Sequence, residues 1–254
     1  MLQNNCKPLI SIITICFNSA KTIRQTIESV LNQTYSNIEY IIVDGKSKDN
    51  TLEIIKEYEE KFIDKGIIYR YVSEPDKGIY DAMNKGINMA TGEWVGIINS
   101  DDWYEVNACK NVIETVTSDT MVAYGICAMH EYLNGQYHFS GVMQHSPEAM
   151  YYYNYDMAHP AVFIRNEVYK SYKFYLGYKI AADVDLLMRI FKAGFKSKFI
   201  PYILSNYRCD GISGQQKFLS SKENLKVRFS HSRISLLHYI KRKIVLYLKF
   251  SIRY

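Results

Sequence analysis

The chain of 254 residues carries 31 Lys or Arg against 26 Asp or Glu, with 48% hydrophobic and 22% charged residues. These values exclude a disordered polymer and an integral membrane protein, and the length allows one large domain with a substantial core. Six of the basic residues and no acid lie between His231 and Tyr254, which leaves 25 basic against 26 acidic residues in the rest. The body is close to neutral and the tail is basic.

Five cysteines, Cys6, Cys16, Cys109, Cys127 and Cys209, form no C-x-x-C pair. That argues against a disulfide framework or a structural zinc site and fits a reducing compartment. The segment MLQNNCKP lacks the basic stretch and apolar run of a secretory leader, so the expected location is cytoplasmic.

In chain order, LISIITICF (9–17) is a continuous apolar, β-branched run, the pattern of a strand covered on both faces in a parallel sheet. NSAKTIRQTIESVLNQTY then places Ile23, Ile27, Val30 and Leu31 at helical spacing after a cap-like Asn18 or Ser19. NIEYIIVDG (37–45) is a second strand. KDNTLEIIKEYEEKF is a second helix that starts from Asp49 or Asn50. A third strand (66–74), a third helix (77–90) and a fourth strand (93–99) follow. Strands alternating with helices imply right-handed crossovers and a parallel sheet, whose ligands bind beyond the carboxyl ends of the strands. Asp44 and the pair Asp101–Asp102 lie at two such ends.

The second half is less regular. It reads as a helix over 105–117, a strand over 121–129 with a hairpin near 135–141, a strand over 159–165, a helix over 181–195 stopped by Gly194, and a last strand at KFIPYIL. No internal repeat or low-complexity linker is present. The predicted organisation is one α/β domain over 1–218, divided into 1–104 and 105–218, followed by a basic helical segment over 219–254.

Two adjacent carboxylates at a strand end repel each other and need compensation. Mg²⁺ supplies it in many phosphate sites, taking one or two protein carboxylates together with phosphate oxygens. The other use of Asp101–Asp102 is a solvated pair that caps the next helix. Asp44 either opens a turn with Gly45 or accepts hydrogen bonds from a nucleoside. Asp183 and Asp185 either complement the positive end of a helix, or Asp183 serves as a general base. His159 reads as a buried core histidine. The tyrosine-rich run at 151–156 offers rings for sugar stacking or is simply surface. No G-x-x-x-x-G-K-[ST] and no G-x-G-x-x-G follows the first strand, and the histidines are too irregularly spaced for a zinc site. Nucleotide phosphates, if bound, must then be held by a metal and side chains.

The stretch SIITICFNSAKTIRQTIESVLNQTYSNIEYIIVDGKSKDNT and the block SEPDKGIYDAMNKGINMATGEWVGIINSDDWY, with AADVDLLMR later, resemble family 2 glycosyltransferases of the GT-A fold, above all small bacterial enzymes of O-antigen and capsule assembly. The resemblance runs from about Pro8 to Gly214. It implies a Rossmann-like, mostly parallel sheet flanked by helices. It places Thr14 and Asn18 beside the nucleotide, Asp44 on the base, Asp76 and Lys77 beside the donor sugar or diphosphate, Asp101 on Mn²⁺ or Mg²⁺ with Asn99 and Asp102 close by, and Asp183 as the general base, supported by Asp185 and Arg189. The donor is a nucleotide-diphosphate sugar, a UDP-sugar first among them, and the implied chemistry is inverting transfer. Four positions depart from the pattern: Asn99 where many relatives have Asp, Ala182 where Glu is usual, and Lys46 and Lys48 in the turn after Asp44.

The tail ISLLHYIKRKIVLYLKFSIRY, as a helix, brings Leu236, Ile240, Ile244 and Leu248 onto one side. It suits the anionic inner face of the cytoplasmic membrane and a lipid-linked saccharide acceptor; otherwise it packs on the domain or joins a homo-oligomer. Charges at 241–243 break the run well short of the roughly 20 apolar residues of a spanning helix. Nucleic acid is not an expected partner, because the basic residues are confined to one apolar-rich tail. A nucleotidyltransferase, or a nucleotide-sugar-binding protein without turnover, are the alternative readings.

Overall fold

A computed structural model describes residues 7–147, 149–150, 157–231 and 236–251. The aromatic run at 151–156 lies outside the described residues. Strand β1 (Ile10–Cys16) is buried at every position, as its uninterrupted apolar run predicts. It lies between β2 (Ile38–Asp44) and β4 (Trp94–Asn99), parallel to both, and β3 (Ile68–Ser73) extends the parallel set beyond β2. The register pairs Cys16 with Asp44 and Ile15 with Asn99, so the two acidic strand ends predicted to meet emerge on the same edge, on either side of β1.

Past β4 the sheet changes direction. Strand β8 (Val162–Arg165) runs antiparallel to β4, and β6 (Val122–Leu133) runs antiparallel to β8. β9 (Ser197–Arg208) then lies parallel to β6 and carries the short β5 (Trp103–Tyr104) along its outer edge. β7 (Gln136–Met143) completes a hairpin with β6. The parallel architecture therefore holds for the first half, and the sheet as a whole is mixed.

Strand alternation sorts the core into two layers. Ile10 and Ile12 face α1 (Ile23–Leu31), α2 (Thr51–Lys56), α3 (Glu59–Asp64) and α5 (Ala108–Thr115), together with Tyr40, Tyr58, Phe62 and Trp94. Ile13 and Ile15 face α4 (Ile79–Met89), α6 (Asn166–Ser171) and α7 (Ala182–Lys192). Helix α4 lies so close to the sheet that a Cβ on Gly86 would come within 2.4 Å of an Ile13 methyl. The single helix expected over 48–62 is two, α2 and α3. Glu57 and Tyr58 keep near-helical dihedrals between them, so the break is a loosened turn rather than a change of direction.

The end of the chain forms α8 (Ile212–Gln215), α9 (Lys217–His231) and α10 (Leu236–Ser251). The boundary expected at 218/219 falls inside α9. That helix belongs to the body, because Val227 is fully buried in the layer shared with α7 and the guanidinium of the buried Arg228 donates to the Met150 carbonyl at 2.8 Å. Cys16, Cys109 and Cys127 are buried free thiols and Cys209 a partly buried one.

At the amino ends of the strands Glu39, 1% exposed, accepts hydrogen bonds from Ser11 Oγ, from the N–H and hydroxyl of Thr91 at 2.8 and 2.9 Å, and from Arg70. Burial alone would push this carboxyl up, but the donors outweigh it and hold it below the usual glutamate range. The folded-state value lies under the unfolded one, so the stabilisation is complete above the unfolded value and is lost as pH falls through the folded value. Replacing Glu39 by Gln should cost about 1–3 kcal/mol near neutral pH. Urea unfolding as a function of pH should show this cost shrinking as the medium becomes acidic.

Candidate active site

The acidic turn after β4 contains two carboxylates in different surroundings. Asp102 has no exposed surface. Its Oδ1 accepts the Arg208 N–H at 3.1 Å, its Oδ2 accepts the Asn99 amide at 3.1 Å, and its carbonyl accepts the Thr26 hydroxyl at 2.6 Å. Burial, then the charge of Asp101, raises its pKa well above the usual range. Each oxygen accepts a protein donor, so Asp102 organises the turn from within.

Asp101 is half-buried, and among the described residues no side chain donates a hydrogen bond to its carboxylate. Burial raises its pKa and so does Asp210, against opposing effects of Arg208 and His159. A Cβ on Gly211 would lie 2.9 Å from its Oδ2, so the chain after β9 passes directly over it. Asn99 Oδ1 is buried without a partner. A partly desolvated carboxylate beside an unsatisfied amide oxygen suits a hard divalent cation. Among the described residues no group of three or more His, Cys, Asp or Glu gathers to hold a metal. A cation here would be held by Asp101, with phosphate oxygens and water filling the other positions.

Arg208 fixes this turn from β9. Its guanidinium donates to the Asp101 carbonyl and to Gln25, and it lies between two rings, 5.0 Å from the centre of Trp103 and 4.8 Å from that of Tyr137. Sequence reading missed Arg208. The cue lay in KFIPYILSNYR, a strand whose arginine sits one residue before Cys209 and two before Asp210.

On the other side of β1 the expected nucleotide residues divide. Asn18, in the left-handed region at φ 51°, donates its N–H to Ser47 Oγ at 2.7 Å and accepts the Lys48 N–H at 2.8 Å, which ties the loops after β1 and β2 together. Asp44 is fully buried and receives Ser73 Oγ at 2.6 Å, the Ser47 hydroxyl and the Ser47 N–H. It supports those loops from beneath. Asp76 Oδ2 would lie 2.5 Å from a Cβ on Gly45, so the absence of a side chain at Gly45 is what lets the loop after β3 close on the end of β2. Asp76 Oδ1 accepts the Gly78 N–H at 2.8 Å, and Lys77 is exposed beside it. Ser19 and Ser100 share a hydroxyl contact of 2.8 Å that joins this rim to the acidic turn.

Thr14 is not part of the rim. Strand alternation turns it into the α1-facing layer, where it is fully buried and accepts the Tyr40 hydroxyl at 3.0 Å.

Asp183 stands in the first turn of α7, at the junction of the two halves of the sheet. Tyr80, from α4, donates to its Oδ1 at 3.2 Å and to the Ile180 carbonyl, while His159 Nδ1 lies 3.5 Å from Oδ2. Burial, then the Asp183 charge, pushes the Tyr80 phenol well up, so it remains a donor. His159 also acts electrostatically on Asp101. Its Nε2 is buried and has no partner among the described residues. The core histidine expected from sequence therefore lies against Asp183. Asp185 turns the other way, 5% exposed, and pairs with Arg189 Nε at 2.8 Å and His231 Nε2 at 2.7 Å. Ala182 is fully buried.

Residues 11–181 match the model of Glycosyl transferase family 2. The PGL/p-HBAD biosynthesis glycosyltransferase of Mycobacterium bovis (strain BCG / Pasteur 1173P2) is 28% identical over 226 residues, covering 86% of this chain and 83% of that protein. Two solved structures share the fold at low identity. Mannosyltransferase PcManGT from Pyrobaculum calidifontis, in complex with GDP-Man and Mn²⁺, superposes with a TM-score of 0.67 at 16% identity, over 88% of this chain and 64% of that one. TarS 1-349 of S. aureus, in complex with UDP-GlcNAc, gives 0.64 at 18%, over 91% and 69%. The chain spans 41% of the longer TarS chain. The strand order, the acidic turn after β4 and the match over residues 11–181 lead to one assignment: this chain belongs to glycosyl transferase family 2 and has the GT-A architecture.

Proposed function

We propose that the protein transfers a sugar, a hexose or N-acetylhexosamine, with inversion from a nucleotide-diphosphate donor to a saccharide hydroxyl. The observation that carries this reading is the pair of partly buried carboxylates at two element ends, Asp101 after β4 under Gly211 and Asp183 at the start of α7 beside Tyr80 and His159. Solved relatives by fold hold UDP-GlcNAc, or GDP-Man with Mn²⁺, which supports a nucleotide sugar as donor, with a UDP-sugar first.

In this mechanism the rim made by Asn18, Ser47, Asp76 and Lys77 receives the nucleoside and diphosphate, backed by the buried Asp44. Asp101, with Asn99 Oδ1 behind it, would hold Mn²⁺ or Mg²⁺, which offsets negative charge on the departing diphosphate. Asp183, its oxygens oriented by Tyr80 and His159, removes the proton from the acceptor hydroxyl as that oxygen bonds to the anomeric carbon. The bond from the anomeric carbon to the phosphate oxygen breaks in the same displacement, and the nucleoside diphosphate leaves. No covalent enzyme intermediate forms.

A panel of UDP- and GDP-sugars, followed by release of nucleoside diphosphate with and without Mn²⁺, tests the reading. Asp101→Ala should lose metal-dependent turnover, by about 100-fold or more, while keeping its unfolding temperature. Asp183→Asn should lose turnover while still being stabilised by UDP and Mn²⁺. Release of pyrophosphate from a nucleoside triphosphate and a sugar phosphate would instead identify a nucleotidyltransferase. Donor binding without turnover across acceptors would mark a binding protein.

The acceptor is proposed to be lipid-linked, as in assembly of bacterial surface polysaccharides, and met at the inner face of the cytoplasmic membrane. Support comes from α10, on which Leu236, Leu237, Ile240, Ile244, Val245 and Leu248 are between 43% and 64% exposed, next to exposed Lys241, Arg242 and Lys243. Phe218 meets Tyr247 and Phe229 stacks on Tyr239, so α10 folds back along α9 and presents this mixed surface outward. No helix of the described residues is long and apolar enough to cross a membrane. An interfacial seat on anionic lipid fits, with each basic residue adding about 1 kcal/mol. The full chain should float with phosphatidylglycerol vesicles and not with phosphatidylcholine ones, and deletion of residues 236–254 should abolish flotation. Equal flotation of the deleted form would reject the tail as the anchor.

A further inference from the structure

Helix α7 starts at Ala182 without a capping side chain of its own, since the residue at its N-cap position is Ala181. Such a start leaves backbone N–H groups unsatisfied unless another part of the chain supplies an acceptor. For the N-cap residue Ala181 and the two residues before it the acceptor is Glu223, 40 residues beyond Asp183, on α9. Its carboxylate receives the N–H of Lys179 at 3.0 Å, of Ile180 at 2.8 Å and of Ala181 at 3.2 Å. The carbonyl of Ile180, on the opposite side of the same peptides, accepts the hydroxyl of Tyr80, which also reaches Asp183. Two turns further along α9, His231 bonds Asp185 on the far side of α7. The segment that delivers Asp183 is therefore gripped on its N–H side by Glu223 and on its carbonyl side by Tyr80.

We infer that Glu223 is a positioning residue for the reaction: it fixes the backbone of 179–181 so that the Asp183 carboxylate is held at the acceptor hydroxyl. The inference rests on the reading of Asp183 as general base. Glu223 lies outside residues 11–181, the span matched by the family model, so the role belongs to this chain's own C-terminal segment. A carboxylate suits the task better than a neutral side chain, because it can accept several N–H groups at once and its charge complements the positive end of the helix. Displacement of the base by as little as an ångström is enough to slow a reaction about 100-fold, whereas the nucleotide rim, built on β1, β2 and α4, is not touched by Glu223.

The test uses the full-length protein, the UDP-sugar that the wild type turns over, and UDP with Mn²⁺ as the binding probe. Glu223→Ala should lower kcat by about 10- to 100-fold and leave the donor KM and the thermal stabilisation by UDP and Mn²⁺ unchanged. Glu223→Gln, which retains one carbonyl acceptor, should recover a large part of the loss. Combined with Asp183→Asn, the alanine variant should slow the reaction no further, since the group it positions is gone. Should the alanine variant fail to fold, the glutamine variant carries the same comparison, with reduced kcat at unchanged KM expected. Wild-type kcat in Glu223→Ala, with Asp183→Asn inactive, would overturn the positioning role and leave the base in place. Parallel loss of kcat and UDP binding in both Glu223 variants would also overturn it, as general damage to the fold. Full activity of Asp183→Asn would remove the base itself, and this inference with it.

Discussion

The buried carboxylate of Asp102 is the constraint on which the site depends. A carboxyl group enclosed at the end of a strand is tolerated only where donors reach it, and one of the two that reach it, the N–H of Arg208, comes from the opposite half of the chain. β9 must therefore lie beside the turn after β4. Once it does, the Arg208 guanidinium holds the Asp101 carbonyl, and the peptide at Gly211 closes over the Asp101 carboxylate. One carboxylate is buried to shape the turn, and its neighbour is left partly exposed and under-compensated.

The same division of labour recurs around α7. Asp185 is turned inward and neutralised by Arg189 and His231, while Asp183, two residues earlier, keeps an exposed face and is touched by the polar groups of Tyr80 and His159. In both acidic pairs the structural member has one local partner, Asn99 or Arg189, and one from a distant segment, Arg208 or His231. Long-range donors thus set which member of each pair is structural and which is available for chemistry.

Much of the nucleotide half could be read in the linear pattern. The β1 and β2 runs, apolar at nearly every position, correspond to strands covered on both faces, and the Cys16–Asp44 register brings the acidic ends together as parallel topology requires. Thr14, set beside the nucleotide by the resemblance, is directed by strand alternation to Tyr40 in the buried layer. The mixed second half was harder, since antiparallel β8 and parallel β9 have similar short apolar patterns and direction is set by partners far away. Glu223 was invisible for a related reason. In sequence it is one more acid on a weakly amphipathic helix, and only the uncapped Ala181, 42 residues earlier, gives it meaning.

The docking of α9 also orders events in time. Strands β1 to β4 pair in parallel within residues 10–99, and this set can begin to assemble while the rest of the chain is still being made. The peptides at 179–181 find their acceptor only when residue 223 has left the ribosome and packed against α7. On the proposed reading, a nascent chain would thus form its nucleotide rim well before the segment bearing Asp183 is seated, so that folding order runs ahead of competence for transfer.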